Sequence, residues 1–169
     1  MIAPGHAPFN KIQNLAELRK WRGTAVGPVV FTNGVFDILH PGHVHLLHQA
    51  RSLGNSLIVG INSDSSVKLI GKGINRPVLG EWHRAAMVAA VGAVERVGLF
   101  DEPNPVVMIE ALRPDIIVKG DDYTVATVAG ADLVASWGGQ VHIVPRLSGY
   151  SSTLVLENIC AAIRRPQGQ

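Results

Sequence analysis

Short apolar runs, each followed by a helical period, constrain this chain most. Val29-Val30-Phe31, Leu57-Ile58-Val59 and Ile116-Ile117-Val118 are apolar at every position rather than at every second one. A strand of that kind is covered on both faces, as in a parallel sheet with helices on either side. The pattern predicts strands at about 29–33, 57–61, 95–99, 115–119 and 141–144, with helices at 43–53, 81–93, 105–112, 130–137 and 152–164. Alternating strands and helices of this length specify an α/β fold with a doubly wound five-stranded parallel sheet. The order 3-2-1-4-5 sets the first and fourth strands side by side at the switch point, and ligands of such sheets bind beyond the carboxyl ends of those strands.

Residues 1–27 read as a lead-in with Pro4, Gly5 and Pro8, ending in a short helix whose apolar face is Leu15, Leu18 and Trp21. Residues 28–164 form one domain, and 165–169 a tail. With 169 residues and 47% hydrophobic content the chain suits a single core of ordinary size. The longest uncharged apolar run, 85–94, is far too short for a bilayer, and the first residues lack a basic segment leading into an apolar one. The expectation is a cytoplasmic protein with no membrane association. Cys160, the single cysteine, excludes an internal disulfide. It shares a stripe with Leu156, Ile159 and Ile163, so burial is expected. A net charge of +2 with scattered lysines and arginines does not describe a nucleic-acid surface.

The first strand runs into Phe31-Thr32-Asn33-Gly34-Val35-Phe36-Asp37-Ile38-Leu39-His40-Pro41-Gly42-His43, after which a helical period begins. Two imidazoles three residues apart thus stand at the mouth of a helix, where free N–H groups and the dipole attract anions. Pro41 suits a first helical turn, and Gly42 lets a ligand approach closely. Past the fourth strand lies Lys119-Gly120-Asp121-Asp122-Tyr123, polar after a buried run, so two unusual stretches converge on the expected crevice.

Thr32-Asn33-Gly34 through His43 resembles the first motif of the His-x-Gly-His nucleotidyltransferases, and within them the heptose 1-phosphate adenylyltransferases of ADP-heptose synthesis. The likeness runs from about residue 28 to 163 and implies a Rossmann-like fold. It implies that His40 and His43 donate to the triphosphate, while Thr32, Asn33, Gly34, Phe36 and Gly42 line the nucleotide cleft. Asp37 would orient a histidine or help hold Mg²⁺; a turn-capping role is its plainer alternative. In Asn62 to Gly73 a lysine should reach the phosphates, with Lys68 the better match and Lys72 the second. Arg76, in the loop 71–80, and Arg84, after Glu81-Trp82-His83, are candidates for phosphate or acceptor contacts. Lys119, Gly120, Asp121 and Tyr150 would border the nucleotide. Pro145-Arg146-Leu147-Ser148-Gly149-Tyr150-Ser151-Ser152-Thr153 opens the last helix, and the resemblance assigns Arg146, Ser151 and Ser152 to the β- and γ-phosphates.

Departures narrow the branch. Leu156 stands where the pantetheine-phosphate and nicotinamide mononucleotide branches carry Arg, and no Lys-Met-Ser-Lys-Ser stretch of a class I synthetase is present. Ser152 replaces a frequent Thr and keeps the hydroxyl. His6, His45, His48 and His142 have no metal-like partner set and read as surface or core residues, and His83, which no motif supports, reads as solvated. The resemblance thus implies Mg²⁺-dependent transfer of AMP from ATP to a sugar 1-phosphate, most directly D-glycero-β-D-manno-heptose 1-phosphate. A homodimer and a separate heptose kinase are implied as partners, since relatives often carry a fused kinase. The alternatives are a cytidylyltransferase for glycerol 3-phosphate or a similar polyol phosphate, and a non-catalytic nucleotide-binding regulatory module.

Overall fold

The computed structural model describes residues 8–71, 73 and 75–164. After a 3₁₀ turn at Phe9–Lys11 the elements are α1 (Leu15–Arg22), β1 (Val29–Gly34), α2 (Pro41–Ser52), β2 (Ser56–Asn62), α3 (Asp64–Leu69), α4 (Glu81–Ala89) and β3 (Arg96–Phe100). Then come α5 (Val106–Leu112), β4 (Ile116–Gly120), a 3₁₀ turn at Val125–Thr127, α6 (Ala131–Ser136), β5 (Gln140–Val144) and α7 (Ser152–Arg164). The five strands form one sheet in the order β3-β2-β1-β4-β5, all pairs parallel, as the alternation predicts.

Burial follows the period of two along each strand. Val30, Leu57, Val59 and Ile61 face one core with Leu47, Ala85 and Val88. Val29, Phe31, Ile58 and Ile117 face the other with Leu18, Ile109 and Leu112. Both faces of β1 and β2 are therefore dry, and each such side chain contributes on the order of 1.5–3 kcal/mol. α1 belongs to the second core: Asn14 and Glu17 form a capping box at its start, and Leu18 is fully buried. It lies so close to β3 that a Cβ on Gly98 would come within 2.6 Å of Leu18 Cδ1.

Several expectations need correction. α4 ends at Ala89 rather than 93, where the backbone turns through Ala90 to Gly92. α3 was not foreseen, because Ser63-Asp64-Ser65-Ser66 hides the helical period; Ser63 caps it by accepting from the Ser66 N–H. Cys160 is exposed, not buried. α7 follows the edge strand β5 and is half-buried only at Ser152, Val155 and Leu156, leaving 157–164 exposed. Among the described residues, no layer lies over the stripe on which Cys160 sits.

Candidate active site

β1 pairs with β2 over six residues but with β4 only at Val30↔Ile116 and Phe31↔Ile117. Beyond that point the two strands part, and side chains take over from the ladder. The Thr32 hydroxyl donates to the Val118 carbonyl (2.8 Å), and Lys119 Nζ donates to the Asn33 carbonyl (2.8 Å). Backbone carbonyls that would otherwise be orphaned are thereby satisfied, and a crevice opens at the switch point.

The chain leaves β1 through a tight turn in which Phe36 and Ile38 both have positive φ (51° and 53°). Such residues cost about 1–2 kcal/mol each and persist only where neighbours fix them. The fixing groups are unusual. Arg84 is fully buried and donates to the carbonyls of Val35 (2.7 Å) and Leu79 (2.9 Å) and to Asp64 Oδ1 (2.7 Å). Asp37, also buried, accepts from Arg76 (2.8 Å) and from the backbone N–H groups of Val78 (2.9 Å) and Leu79 (3.0 Å). Burial pushes the Asp37 carboxyl up, but these hydrogen bonds and the guanidinium outweigh it and hold it below the usual carboxylate range.

The turn delivers His40 to the N-cap of α2, with Pro41 at the first helical position. The rings of His40 and His43 stack with centroids 3.7 Å apart, and Phe36 lies 5.2 Å from His43. The Nδ1 atoms of both histidines are buried without a partner among the described residues. Burial, followed by repulsion from His40, lowers the His43 pKa to about 4, against a small opposing pull from Asp37; burial lowers that of His40 too. Both rings are thus neutral at physiological pH, able to donate without bringing charge. A Cβ on Gly42 would stand 3.0 Å from His40 Cε1, so the glycine makes room for the stack.

The opposite wall comes from the ends of β4 and β5. Arg146 donates to Asp121 Oδ1 (2.6 Å), an exposed pair at the cleft mouth, and this bond holds the Asp121 carboxyl below its usual range. Lys119 lies 4.9 Å from the Tyr123 ring centroid. Ser151 caps α7 by accepting from the Leu154 N–H, and the Ser152 hydroxyl donates to the Asp37 carbonyl.

These groups enclose a cleft of about 690 Å³. Of the residues singled out from sequence, Asn33, Gly34, Phe36, Asp37, His40, Gly42 and His43 line it from one side. Arg76, Lys119, Gly120, Arg146, Tyr150, Ser151 and Ser152 complete it. Others lie elsewhere. Thr32 is buried beneath the floor, and Arg84 behind the turn. Asp121 stands at the rim, bonded to Arg146. Lys68 is exposed on α3 and lines a neighbouring depression with Asp64 and Arg76. Lys72 and His6 lie outside the described residues. Sequence reasoning passed over Asn62, Asn104 and Thr127, all in the cleft wall, and read His45, which also lines it, as a surface or core residue; Tyr123 lines it as the end of the polar stretch that begins at Lys119. Asn62 closes β2 and Asn104 follows β3, so both stand past carboxyl ends of strands, where the topology rule would have found them.

Chemically the cleft offers neutral imidazoles, guanidinium and ammonium groups, hydroxyls and two helix starts, a set suited to polyphosphate oxygens. Its fit to a resident metal is poor. No cluster of three or more His, Cys, Asp or Glu side chains suited to a metal occurs among the described residues, and both Asp37 oxygens already accept N–H donors.

A doubly wound sheet with paired histidines at the start of the first inter-strand helix defines a nucleotidyltransferase. The chain belongs to the cytidylyltransferase-like family, whose model matches residues 31–158. It is 54% identical over 129 residues to the Bifunctional protein HldE of Koribacter versatilis, covering 76% of this chain and 26% of that one. It is 44% identical over 153 residues to the HldE of Geotalea uraniireducens, covering 90% of this chain and 31% of that one. The chain thus spans about a quarter to a third of the length of these relatives. Among solved structures it is similar to the lipopolysaccharide core biosynthesis protein from Thermoplasma volcanium (32% identity, TM-score 0.59, 75% of this chain and 100% of that one). The pantoate-beta-alanine ligase of Francisella tularensis shares the fold at 16% identity and TM-score 0.57, covering 92% of this chain and 79% of that one. No described helix is long and apolar enough to cross a membrane.

Proposed function

We propose that this protein transfers AMP from ATP to a sugar 1-phosphate, with D-glycero-β-D-manno-heptose 1-phosphate as the acceptor, releasing pyrophosphate and forming ADP-heptose. The observation that carries this reading is the stacked, half-buried pair His40 and His43 at the N-terminus of α2, lining one cleft with Arg146. Its likeness to proteins named HldE supports the choice of acceptor.

The chemistry asks little of a base. A phosphate monoester has its second pKa near ~6, so the attacking oxygen is already largely ionised at neutral pH. The residues must instead align two anions and stabilise charge building on the α-phosphate. In this reading His40 and His43 donate hydrogen bonds to phosphate oxygens as that charge develops. Arg146 exchanges Asp121 for the β- and γ-phosphates, joined by the hydroxyls at the start of α7. Lys119, Gly120 and Tyr150 border the nucleoside, while Lys68, Lys72 and Arg76 serve the acceptor phosphate. Mg²⁺ is proposed to arrive with the triphosphate, where it would neutralise charge, since no carboxylate cage occurs among the described residues. A kinase activity would supply the sugar 1-phosphate, and a homodimer accords with the exposed Leu154, Ile159 and Ile163 of α7.

The test is pyrophosphate release with Mg²⁺, each of the four nucleoside triphosphates, and heptose 1-phosphate or glycerol 3-phosphate. Release with ATP and heptose 1-phosphate alone is expected. Release with CTP and glycerol 3-phosphate would keep the centre and overturn the substrates. Nucleotide binding with no release from any pair would leave a regulatory module.

A further inference from the structure

Asp37 draws together three walls of the cleft, and its surroundings say what it is for. Oδ2 accepts from Arg76 (2.8 Å) and the Val78 N–H (2.9 Å), and Oδ1 accepts from the Leu79 N–H (3.0 Å). Its own carbonyl accepts from the Ser152 hydroxyl in the first turn of α7. Residues 76–79 are a strap without regular structure, and Asp37 gives three of their donors one acceptor group. The strap is gripped from its other side as well. Arg84 takes the Leu79 carbonyl and, in the same fork, the Val35 carbonyl two residues before Asp37. Leu79 is therefore tied to the turn through both its N–H and its C=O.

The same contacts argue against a metal. A carboxylate has about four lone-pair sites, and here three are occupied by N–H donors. The side chain is 5% exposed and its charge is already matched by Arg76. Mg²⁺ demands near-ideal octahedral geometry and keeps several of its waters, which an enclosed, saturated carboxylate does not accommodate. The positive φ of Phe36 and Ile38 on either side supplies the complementary need, for a turn in that conformation has to be held by its neighbours.

We propose that Asp37 is a positioning residue and not a magnesium ligand: its carboxylate clamps the strap of residues 76–79 to the turn bearing His40 and His43, and its carbonyl clamps the start of α7. One residue then sets the spacing between the histidine side, the strap and the Ser151–Ser152 side. This rests on the cleft being the transferase centre for its catalytic consequence, but the clamp itself is a property of the free protein.

Asp37→Asn tests it, because the amide keeps the size but turns a donor toward the donors of Arg76 and Val78. Hydrogen exchange at the Val78 and Leu79 amides in the free protein should accelerate about tenfold or more. kcat should fall by about 10–100-fold through misplacement of the histidines. The Mg²⁺ concentration for half-maximal rate at saturating ATP should stay within about twofold, since the metal's ligands are untouched. Unchanged exchange, or half-saturation raised about tenfold or more, would overturn the proposal. Arg76→Gln provides a second route should Asp37→Asn not fold. It removes one donor and frees one lone pair, so faster exchange at Val78 with unchanged Mg²⁺ half-saturation is expected. Slow exchange, or tighter Mg²⁺ half-saturation, would reinstate a metal role for Asp37. If the wild-type protein turns over no substrate pair, the functional reading fails, and the exchange rates still decide whether the clamp exists.

Discussion

Lowering the pH should destabilise this protein in a window set by His43. In the unfolded chain that imidazole takes up a proton near its ordinary value of 6.5, whereas in the folded protein burial and the neighbouring His40 delay uptake to about 4. A depressed folded value means that the contribution is fully present above 6.5 and lost as pH falls toward 4. For these two values the loss is on the order of 1 kcal/mol at pH 5.5 and on the order of 2–3 kcal/mol at pH 4.5, relative to pH 7.5. Burial is the larger cause, and the stack opposes charging both rings at once: two unit charges at 4 Å repel by about 4 kcal/mol at an effective dielectric of 20. The assay is urea unfolding at pH 7.5, 5.5 and 4.5 for the wild-type protein and for His43→Asn, which has no titrating ring at that position. The wild-type-minus-variant difference should shrink as the pH falls, by these amounts. Bound nucleotide, whose phosphates favour the protonated imidazole, should reduce the loss. A difference that stays flat from pH 7.5 to 4.5 would show that His43 titrates as freely in the folded state as in the unfolded one, and the argument for a neutral pair would fail.

Arg84→Met should cost about 3 kcal/mol, because it orphans the Val35 and Leu79 carbonyls while Asp64, 40% exposed, stays solvated. Chemical denaturation measures this, and nucleotide affinity of the folded variant should change by less than about threefold, since Arg84 stands behind the turn and not in the cleft. Cys160 should react with a thiol reagent in the native state at close to the rate of a free thiol, because it is exposed; protection until unfolding would mean that another surface covers α7.

The fold was legible because its signals are local and redundant. Apolar runs such as Ile116-Ile117-Val118 have no other stable place than a sheet covered on both faces, and alternation with helices then leaves few topologies. The histidine turn was legible for a similar reason, since Pro41, Gly42 and two imidazoles are cheap together only at a helix start. What could not be read was long-range pairing. Nothing near Arg84 in the chain says that its guanidinium will be spent on Val35, Leu79 and Asp64, so a phosphate contact was the natural expectation. The same holds for Asp37, whose partners are about 40 residues away in a loop of no regular structure. Cys160 shows the opposite error: an amphipathic stripe reads as buried, but whether anything lies over it depends on elements outside the helix.

The account rests on His40 and His43 stabilising charge that appears only during transfer, and His40→Ala tests that most directly. ATP binding by calorimetry and single-turnover pyrophosphate release should be measured on the same preparation. The account predicts binding within a few-fold of wild type and a rate lowered by about 10²–10³, as for loss of one transition-state donor. Wild-type turnover in His40→Ala, or a loss of binding that accounts for the whole loss of rate, would contradict it.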